Sequence, residues 1–596
     1  NSITYLFPEK PHAVIVADQS NFSEALNEID SCIKNNLSGF GFINYEAGYL
    51  LEDKLKILLN DEKKNLLKFF FYKKENIKEV DSSEIEILTE KNEDDFKVDN
   101  FKLNISEDEF LQAVKKIHYY ISEGDTYQVN YTLKGKFDFE GSLSSFFKRL
   151  LFNQSAKYSA FINSGDSYII SLSPELFFSE ENNYLKTRPM KGTENRGYNR
   201  TDDSLAEYSL KNSEKNRAEN LMILDLLRND MGRISEFGSV RLRKLYAIEK
   251  YETLLQMTSE IESKLKKDIS FGDIIKNIFP CGSVTGAPKI NTMKIINDLE
   301  KEERGIYTGA IGFIHQEKKK FNVAIRTIQL QKKDDKKLKG EIGIGSGVVW
   351  DSIPENEYEE VLLKSNFLLK PFPYFELFET IKFTKGKFER LDLHLKRLCD
   401  SASYFLFKYD EETIIKSFED VALNYDVSKD YKVKILLNKW GKVDIQVSEF
   451  PNTPIEIKIV ISDKVISTAN RFQYFKTTNR ELYNSEYNKY SDKGFLDVIF
   501  INEKNQVAEG AITNIFINKN GLLYTPPVSC GILPGVFRKH WLQTNVNIKE
   551  ENFYKDDLLI ADEIILTNSL RGMVKVDKLY LNENEFIELK GINKYS

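Results

Sequence analysis

A lysine on a tight turn, followed by an acidic helix, sets the terms for the first half of this chain. The stretch Thr187-Arg-Pro-Met-Lys-Gly-Thr-Glu-Asn-Arg196 holds Pro189, which fixes φ, and Gly192, which permits close approach. The spacing therefore predicts Lys191 on a turn rather than in a helix. A Pro-x-Lys-Gly-Thr alone amounts to a surface turn with a solvated lysine. The next element changes its meaning. Asn212 to Ile234 has helical periodicity, with Leu221, Leu224 and Leu227, or Met222 and Leu226, facing a core. Glu219, Asp225 and Asp230 are carried on or beside it. An amine and a run of acids in this order outline one site.

At 596 residues the chain exceeds one hydrophobic core, so at least two folding units are expected. Charged residues of both signs make up 29% of it, and the net charge is −7, which excludes an extended nucleic-acid surface. The cysteines, Cys32, Cys281, Cys399 and Cys530, are too scattered for a disulfide framework or a zinc site. No apolar run approaches a membrane span, and the first residues lack a signal-peptide layout. A cytoplasmic location follows as the expectation.

Ser106-Glu-Asp-Glu109 predicts a capped helix start, with Phe110, Val114, Ile117 and Ile121 at helical spacing. Asp53 to Asp95 reads as charged and peripheral. Strands are expected at 127–132, 158–162, 168–172, 176–178, 239–248, 307–314 and 321–330, the last carrying Arg326. Cys281-Gly-Ser-Val-Thr-Gly-Ala-Pro-Lys289 opens onto a helix and suits an anionic group. Glu341-Ile-Gly-Ile-Gly-Ser-Gly-Val-Val349 is a glycine-rich strand that permits close backbone approach. It leads to a helix on which Glu357 and Glu360 share a face at i, i+3. With Glu219 they form a hard oxygen set of the kind magnesium prefers, although a solvated acidic face is the commoner origin of such pairs.

These motifs, in order, resemble the chorismate-utilising family, on the branch that forms 4-amino-4-deoxychorismate. The resemblance rests on Tyr127-Gln-Val-Asn130, Ser173-Pro-Glu175, Arg188-Pro-Met-Lys-Gly-Thr193, Arg217-Ala-Glu-Asn-Leu-Met222, Gly286-Ala-Pro-Lys289, Ala324-Ile-Arg-Thr327 and Gly345-Ser-Gly347. It implies Lys191 as a nucleophile, where anthranilate synthases have alanine. Isochorismate and salicylate synthases have a lysine where this chain has Gln128. The resemblance further implies magnesium held by Glu219, Glu357 and Glu360. Gln128, Thr193, Thr285, Gly286, Arg326, Gly345 and Gly347 would line the substrate site. Gln256 stands where many relatives have a histidine.

The second half opens with a strand from Phe375, a turn at Lys385-Gly386 and a helix from Leu391. Lys476 is predicted at a strand end and Glu509 on a turn. The set His394-x-x-Arg397, Lys476, Glu509-Gly-x-x-x-Asn514 and Gly531-Ile-Leu-Pro-Gly535 resembles the fold-type IV pyridoxal-phosphate enzymes. That implies Lys476 as the catalytic, cofactor-bearing lysine and Glu509 as partner of the pyridine nitrogen. Arg397, Asn514, Ser569 and the amides of Val536 and Phe537 would complete the pyridoxal 5'-phosphate site.

The expected architecture is α+β, a chorismate-utilising domain over 1–370 resembling anthranilate synthase component I, then a domain over 371–596 like branched-chain aminotransferases and lyases. The two resemblances imply conversion of chorismate and ammonia to 4-amino-4-deoxychorismate, then to 4-aminobenzoate and pyruvate, in folate-precursor synthesis. No Gly-x-Cys-x-Gly nucleophile turn is present. Ammonia would come from a separate glutamine amidotransferase subunit or from solution, with no nucleic-acid or membrane partner. The alternatives are an anthranilate or isochorismate synthase fused to a pyridoxal-phosphate aminotransferase, and a regulatory protein that holds chorismate without turnover.

Overall fold

In a computed structural model, residues 3–59, 64–81, 85, 95–332 and 337–589 are described. Much of the charged Asp53 to Asp95 stretch lies outside them. The chain divides into two units, Asn1–Arg196 with Ala206–Phe372, and Gly197–Leu205 with Pro373–Ser596. The single cut expected from sequence did not anticipate that Gly197–Leu205 groups with the second unit.

Two large antiparallel sheets, with a small two-stranded one, build the first unit among the described residues. A ten-stranded sheet holds the strand Met190–Asn195 beside Leu254–Lys264 and runs through Tyr184–Arg188, Leu176–Glu181, Lys318–Val323 and Ala310–His315. A seven-stranded sheet places the glycine-rich strand Lys337–Val348 between Gln128–Gly141 and Thr327–Lys332. Each large sheet has its own core. Phe69, Phe178, Phe271 and Phe321 pack with the helix Glu214–Ile234, while Phe110, Phe139, Phe146 and Ile328 fill the other. The expected strand 321–330 is instead two strands in two sheets. Arg326 has a φ of 49° at the break, and this left-handed residue lets the chain leave one sheet for the other.

Local signals set several elements directly. Ser106 caps Glu107–Ser122 in a reciprocal box with Glu109. Ser213 caps Glu214–Ile234, whose buried face is Ile223, Leu224, Leu227, Met231 and Ile234. Its acids diverge. Asp225 pairs with Arg228 in solvent, Asp230 pairs with Lys289 at 2.7 Å, and Glu219 alone of the three bears on Lys191.

The second unit contains a four-stranded sheet around Leu377–Thr384 and Tyr431–Leu437 and two five-stranded sheets. One holds Asp497–Asn502 and Val507–Gly510, the other Asn514–Lys519 and Glu563–Asn568. Among the described residues no helix is long and apolar enough to cross a membrane.

Candidate active sites

Lys191 lies on a bulged strand, not on a free turn. Register with Leu254–Lys264 shifts between Met190 and Thr193, and Gly192 adopts a φ of 96°. A Cβ at Gly192 would meet Asn216 at 2.9 Å, so the bulge lies against the acidic helix. Asn220 of that helix donates to the Lys191 carbonyl at 3.3 Å. The backbone of the lysine is thereby fixed while its amine points elsewhere.

That amine meets the glycine-rich strand. A Cβ at Gly347 would lie 2.9 Å from Lys191 Nζ and 2.6 Å from Gln128 Nε2. Gln128 is buried, and its Oε1 has no hydrogen-bond partner among the described residues. Burial depresses the Lys191 pKa and Lys364 adds to this, while Glu219, Glu175 and Glu360 pull the other way. Lys191 has no ion-pair partner among the described residues.

Three carboxylates were expected to hold magnesium. Burial raises the pKa of Glu219, and Glu357 and Glu360 raise it further, so the three share one field. They do not form a closed ligand set: among the described residues no three acidic, histidine or cysteine side chains are grouped to hold an ion. Glu360 pairs with Lys364 at 2.6 Å, and Glu357 accepts from Ser352 Oγ at 2.7 Å. Burial works against the charge on Glu360, but Lys364 outweighs it and holds the pKa low. Lys364 also donates to the Gly345 carbonyl at 2.7 Å.

The remaining expected residues separate into groups. Gly286 pairs with Val129, and a Cβ there would lie 2.0 Å from the Gln128 carbonyl, which requires glycine. Buried Thr285 donates to Gly282 O at 3.2 Å. Thr193 donates to Gln256 Oε1 at 3.2 Å on the neighbouring strand. Gly345 lies opposite Thr132, and a Cβ on it would approach Tyr131 O to 2.7 Å. Arg326 is directed at Gln154 and the Tyr251 ring, 5.7 Å away, and no contact among the described residues joins it to Lys191.

Sequence reasoning passed over Glu175, which it quoted only as part of a motif. This carboxyl is buried, accepts from Ser283 Oγ at 2.6 Å and interacts with Lys191. Burial pushes its pKa up to about 7, so a substantial share of it is protonated at neutral pH. An acid two residues after Ser173 in a buried strand-to-strand connection was the available signal.

The second unit encloses a cavity of about 530 Å³ lined by Lys476, Arg397, Glu509, Asn514, Val536, Phe537 and Ser569, all seven of its expected site residues. Lys476 is not at a strand end. It follows the short 3-10 turn Arg471–Gln473, and its carbonyl accepts from Phe378 N at 3.1 Å. Its Nζ sits 4.6 Å from the Phe378 ring centre. Burial, then Arg397 and Arg480, bring its pKa down to about 7. Glu509 lies in the strand Val507–Gly510 rather than on a turn. It accepts from Leu533 N at 3.0 Å, Asn514 Nδ2 at 3.2 Å and Tyr483 Oη at 3.2 Å, yet burial raises its pKa to about 8.

Arg397 donates twice to buried Glu379, at 2.7 and 2.6 Å, and once to Pro534 O at 3.2 Å. His394 bonds the same carboxylate at 2.7 Å. Burial opposes the charge on Glu379, but Arg397 and His394 hold its pKa at about 2. Glu379 was not anticipated, although it stands in a strand opposite the His-x-x-Arg pair. Val536 opens the nine-residue helix Val536–Thr544, and a Cβ at the preceding Gly535 would lie 2.0 Å from Asn514 Oδ1. Thr567 Oγ1, on a cavity-lining residue, is buried without a hydrogen-bond partner among the described residues.

Residues 8–370 match the family described as chorismate binding enzyme, and residues 376–579 match amino-transferase class IV. The chain is 39% identical over 269 residues to aminodeoxychorismate synthase component 1 of Bacillus subtilis, covering 45% of this chain and 56% of that protein. It is 37% identical over 279 residues to anthranilate synthase component 1 of Aquifex aeolicus, covering 47% and 55%. The chain thus spans about half the length of these curated relatives. Anthranilate synthase component I of Streptococcus pneumoniae superposes with a TM-score of 0.53 at 27% identity, over 61% of this chain and 92% of that one. The chain belongs to the chorismate binding enzyme family and carries a class IV amino-transferase domain after it.

Proposed function

We propose that this chain is a bifunctional enzyme that converts chorismate and ammonia to 4-amino-4-deoxychorismate and then to 4-aminobenzoate and pyruvate. The observation that carries the reading is the Lys191 amine, buried against Gly347 and Gln128 with Glu175 and Glu219 beside it. A neutral amine is a nucleophile, and burial with Lys364 nearby favours that form. In the proposed step Lys191 Nζ adds at ring C2 as the C4 hydroxyl leaves. Glu175 supplies the proton that turns this hydroxyl into water. Ammonia then adds at C4, and the C2–Nζ bond breaks to release the lysine.

Magnesium fits the donor chemistry of Glu219, Glu357 and Glu360, whose mutual repulsion a divalent cation would relieve, provided Glu360 exchanges Lys364 for the ion. Bound there it would neutralise substrate carboxylate charge.

Pyridoxal phosphate fits the second cavity. The partnerless Thr567 Oγ1, the helix start at Val536 and Phe537, Ser569 and Arg397 provide donors for a phosphate. Lys476 would bind the cofactor, with Glu509 and Asn514 at its ring. When bound, the cofactor supplies an electron sink for charge developing beside the substrate amine. Lys476 moves the proton at that carbon, and its pKa of about 7 suits both directions of transfer.

The test is a product assay with purified protein, chorismate, ammonium, magnesium and pyridoxal phosphate. Equal yields of 4-aminobenzoate and pyruvate are expected. Anthranilate, which the relatives named anthranilate synthase make worth seeking, would overturn the Lys191 assignment. Accumulation of aminodeoxychorismate would leave the first half and remove the second.

A further inference from the structure

The cavity around Lys476 is larger and more cationic than its cofactor donors explain. Beyond them it is lined by Lys432, Lys434, Arg480, Arg538 and Arg571, with Glu481 the one added acid, and Arg538 is spent on Pro526 O and Glu550. Arg480 is committed to the protein: it donates to Ala511 O and lies 5.4 Å over the Tyr483 ring. Arg571 is different. Among the described residues its guanidinium makes no hydrogen bond and no ion pair at any of its nitrogens, and its Nε is buried. Leaving such a group unsatisfied costs about 1 to 3 kcal/mol, or more for a charge, so a site of this kind is built for an incoming acceptor.

The backbone presenting it is set in advance. Asn568 Oδ1 accepts from Leu570 N at 3.1 Å and Arg571 N at 2.9 Å, and Gly572 turns the chain with a φ of 68°. This loop connects the strands Glu563–Asn568 and Gly572–Lys575, and the former ends at the cavity through Thr567. A planar guanidinium fixed on a two-strand connection favours a carboxylate, which it can bind through two parallel hydrogen bonds.

We propose that Arg571 is the specificity-determining residue of the second site, receiving a carboxylate of the amine substrate and selecting amines that carry an acid group beyond the reacting centre. This rests on the lyase reading above, since 4-amino-4-deoxychorismate is a dicarboxylate.

The experiment supplies synthetic 4-amino-4-deoxychorismate to the cofactor-loaded full chain and to Arg571→Leu and Arg571→Lys variants. Arg571→Leu is expected to raise KM about 10- to 100-fold, the value of a charged hydrogen-bond pair, with kcat changed far less. Arg571→Lys should recover part of the loss. The cofactor absorbance should match the parent in both variants. A parent that releases no pyruvate would defeat the lyase reading itself. An active parent with KM unchanged in Arg571→Leu would overturn the Arg571 assignment alone, and so would a variant that falls in kcat at constant KM.

Discussion

Gly347→Ala isolates the Lys191 site with a single methyl. Gly347 does not use a left-handed φ, so alanine fits the backbone, and its Cβ meets only the flexible ends of Gln128 and Lys191, at 2.6 and 2.9 Å. Ordinary contact begins near 3.4 Å, so both polar ends must retreat by roughly 0.5 to 1 Å. Removing glycine stiffens the unfolded chain by about 0.4 to 1 kcal/mol, which offsets much of that displacement, and the net change in stability stays within about 1 kcal/mol. Catalysis is less forgiving. Misplacing a nucleophile by about 1 Å costs on the order of 100-fold, or about 2.7 kcal/mol in the barrier. Chorismate consumption with ammonium and magnesium, followed by chromatography beside a thermal melt, separates the two effects. Gly340→Ala, on the same strand, is the control: its Cβ would lie 2.3 Å from the Phe137 ring. Overpacking there costs about 1 to 3 kcal/mol, so the melt should fall while the folded fraction keeps its turnover. Consumption by Gly347→Ala within twofold of the parent, at an unchanged melting temperature, would refute the placement of Lys191 against this strand.

Lys476→Ala should abolish the visible absorbance of the bound cofactor and accumulate the first half's product; normal 4-aminobenzoate output would sink the assignment. Glu360→Gln should shift the magnesium dependence of chorismate consumption to higher concentration, and an unchanged titration would strike it from the ligand set. In cofactor-free protein, labelling of Lys476 by an amine-directed reagent should be half-maximal near pH 7, because its folded pKa of about 7 lies below the ordinary lysine value of 10.5. Peptide mass spectrometry reads this directly, and a midpoint near 10 would contradict it. The sign also fixes a stability trend. The unfolded lysine keeps its proton up to about 10.5, so this group makes the apo protein more stable as pH rises from about 7, a rise that Lys476→Ala should lose.

Elements fixed by neighbouring residues were legible in the sequence. The capped helix at Ser106 follows from residues a few positions apart. The ordered lysines, acids and glycines likewise carried the family. What stayed hidden depends on the fold closing. Arg326 looks like the middle of an apolar strand, and only the passage between two sheets requires its left-handed φ. Glu175 gains its raised pKa from burial beside Ser283, 108 residues away. Arg397 could be named from its motif, but the Glu379 that orients it comes from a different strand. Gly197–Leu205 carries no composition change to mark it as part of the second unit; Arg200 pairs there with Asp400, and Tyr404 donates to the Gly197 carbonyl.

The two lysines reach a low pKa by different routes, and the difference bears on their work. Around Lys476 burial is reinforced by Arg397 and Arg480, which rank above the opposing Glu379 and Glu509, and the neutral form is well populated near pH 7. Around Lys191 burial is opposed by Glu219, Glu175 and Glu360, so its charge is tied to theirs. Under the proposed chemistry that tie closes a proton cycle. Glu175 starts as the neutral acid and gives its proton to the departing C4 hydroxyl. Lys191, having added at C2, is now a cationic secondary amine beside the carboxylate just formed. That adduct keeps its proton so that it can leave C2 as a neutral amine, and the Glu175 carboxylate regains its own proton from the ammonium group that forms as ammonia adds at C4. One carboxyl then serves as acid and base in turn, and Glu175→Gln should lower chorismate consumption by more than the roughly 100-fold expected from losing proton donation alone.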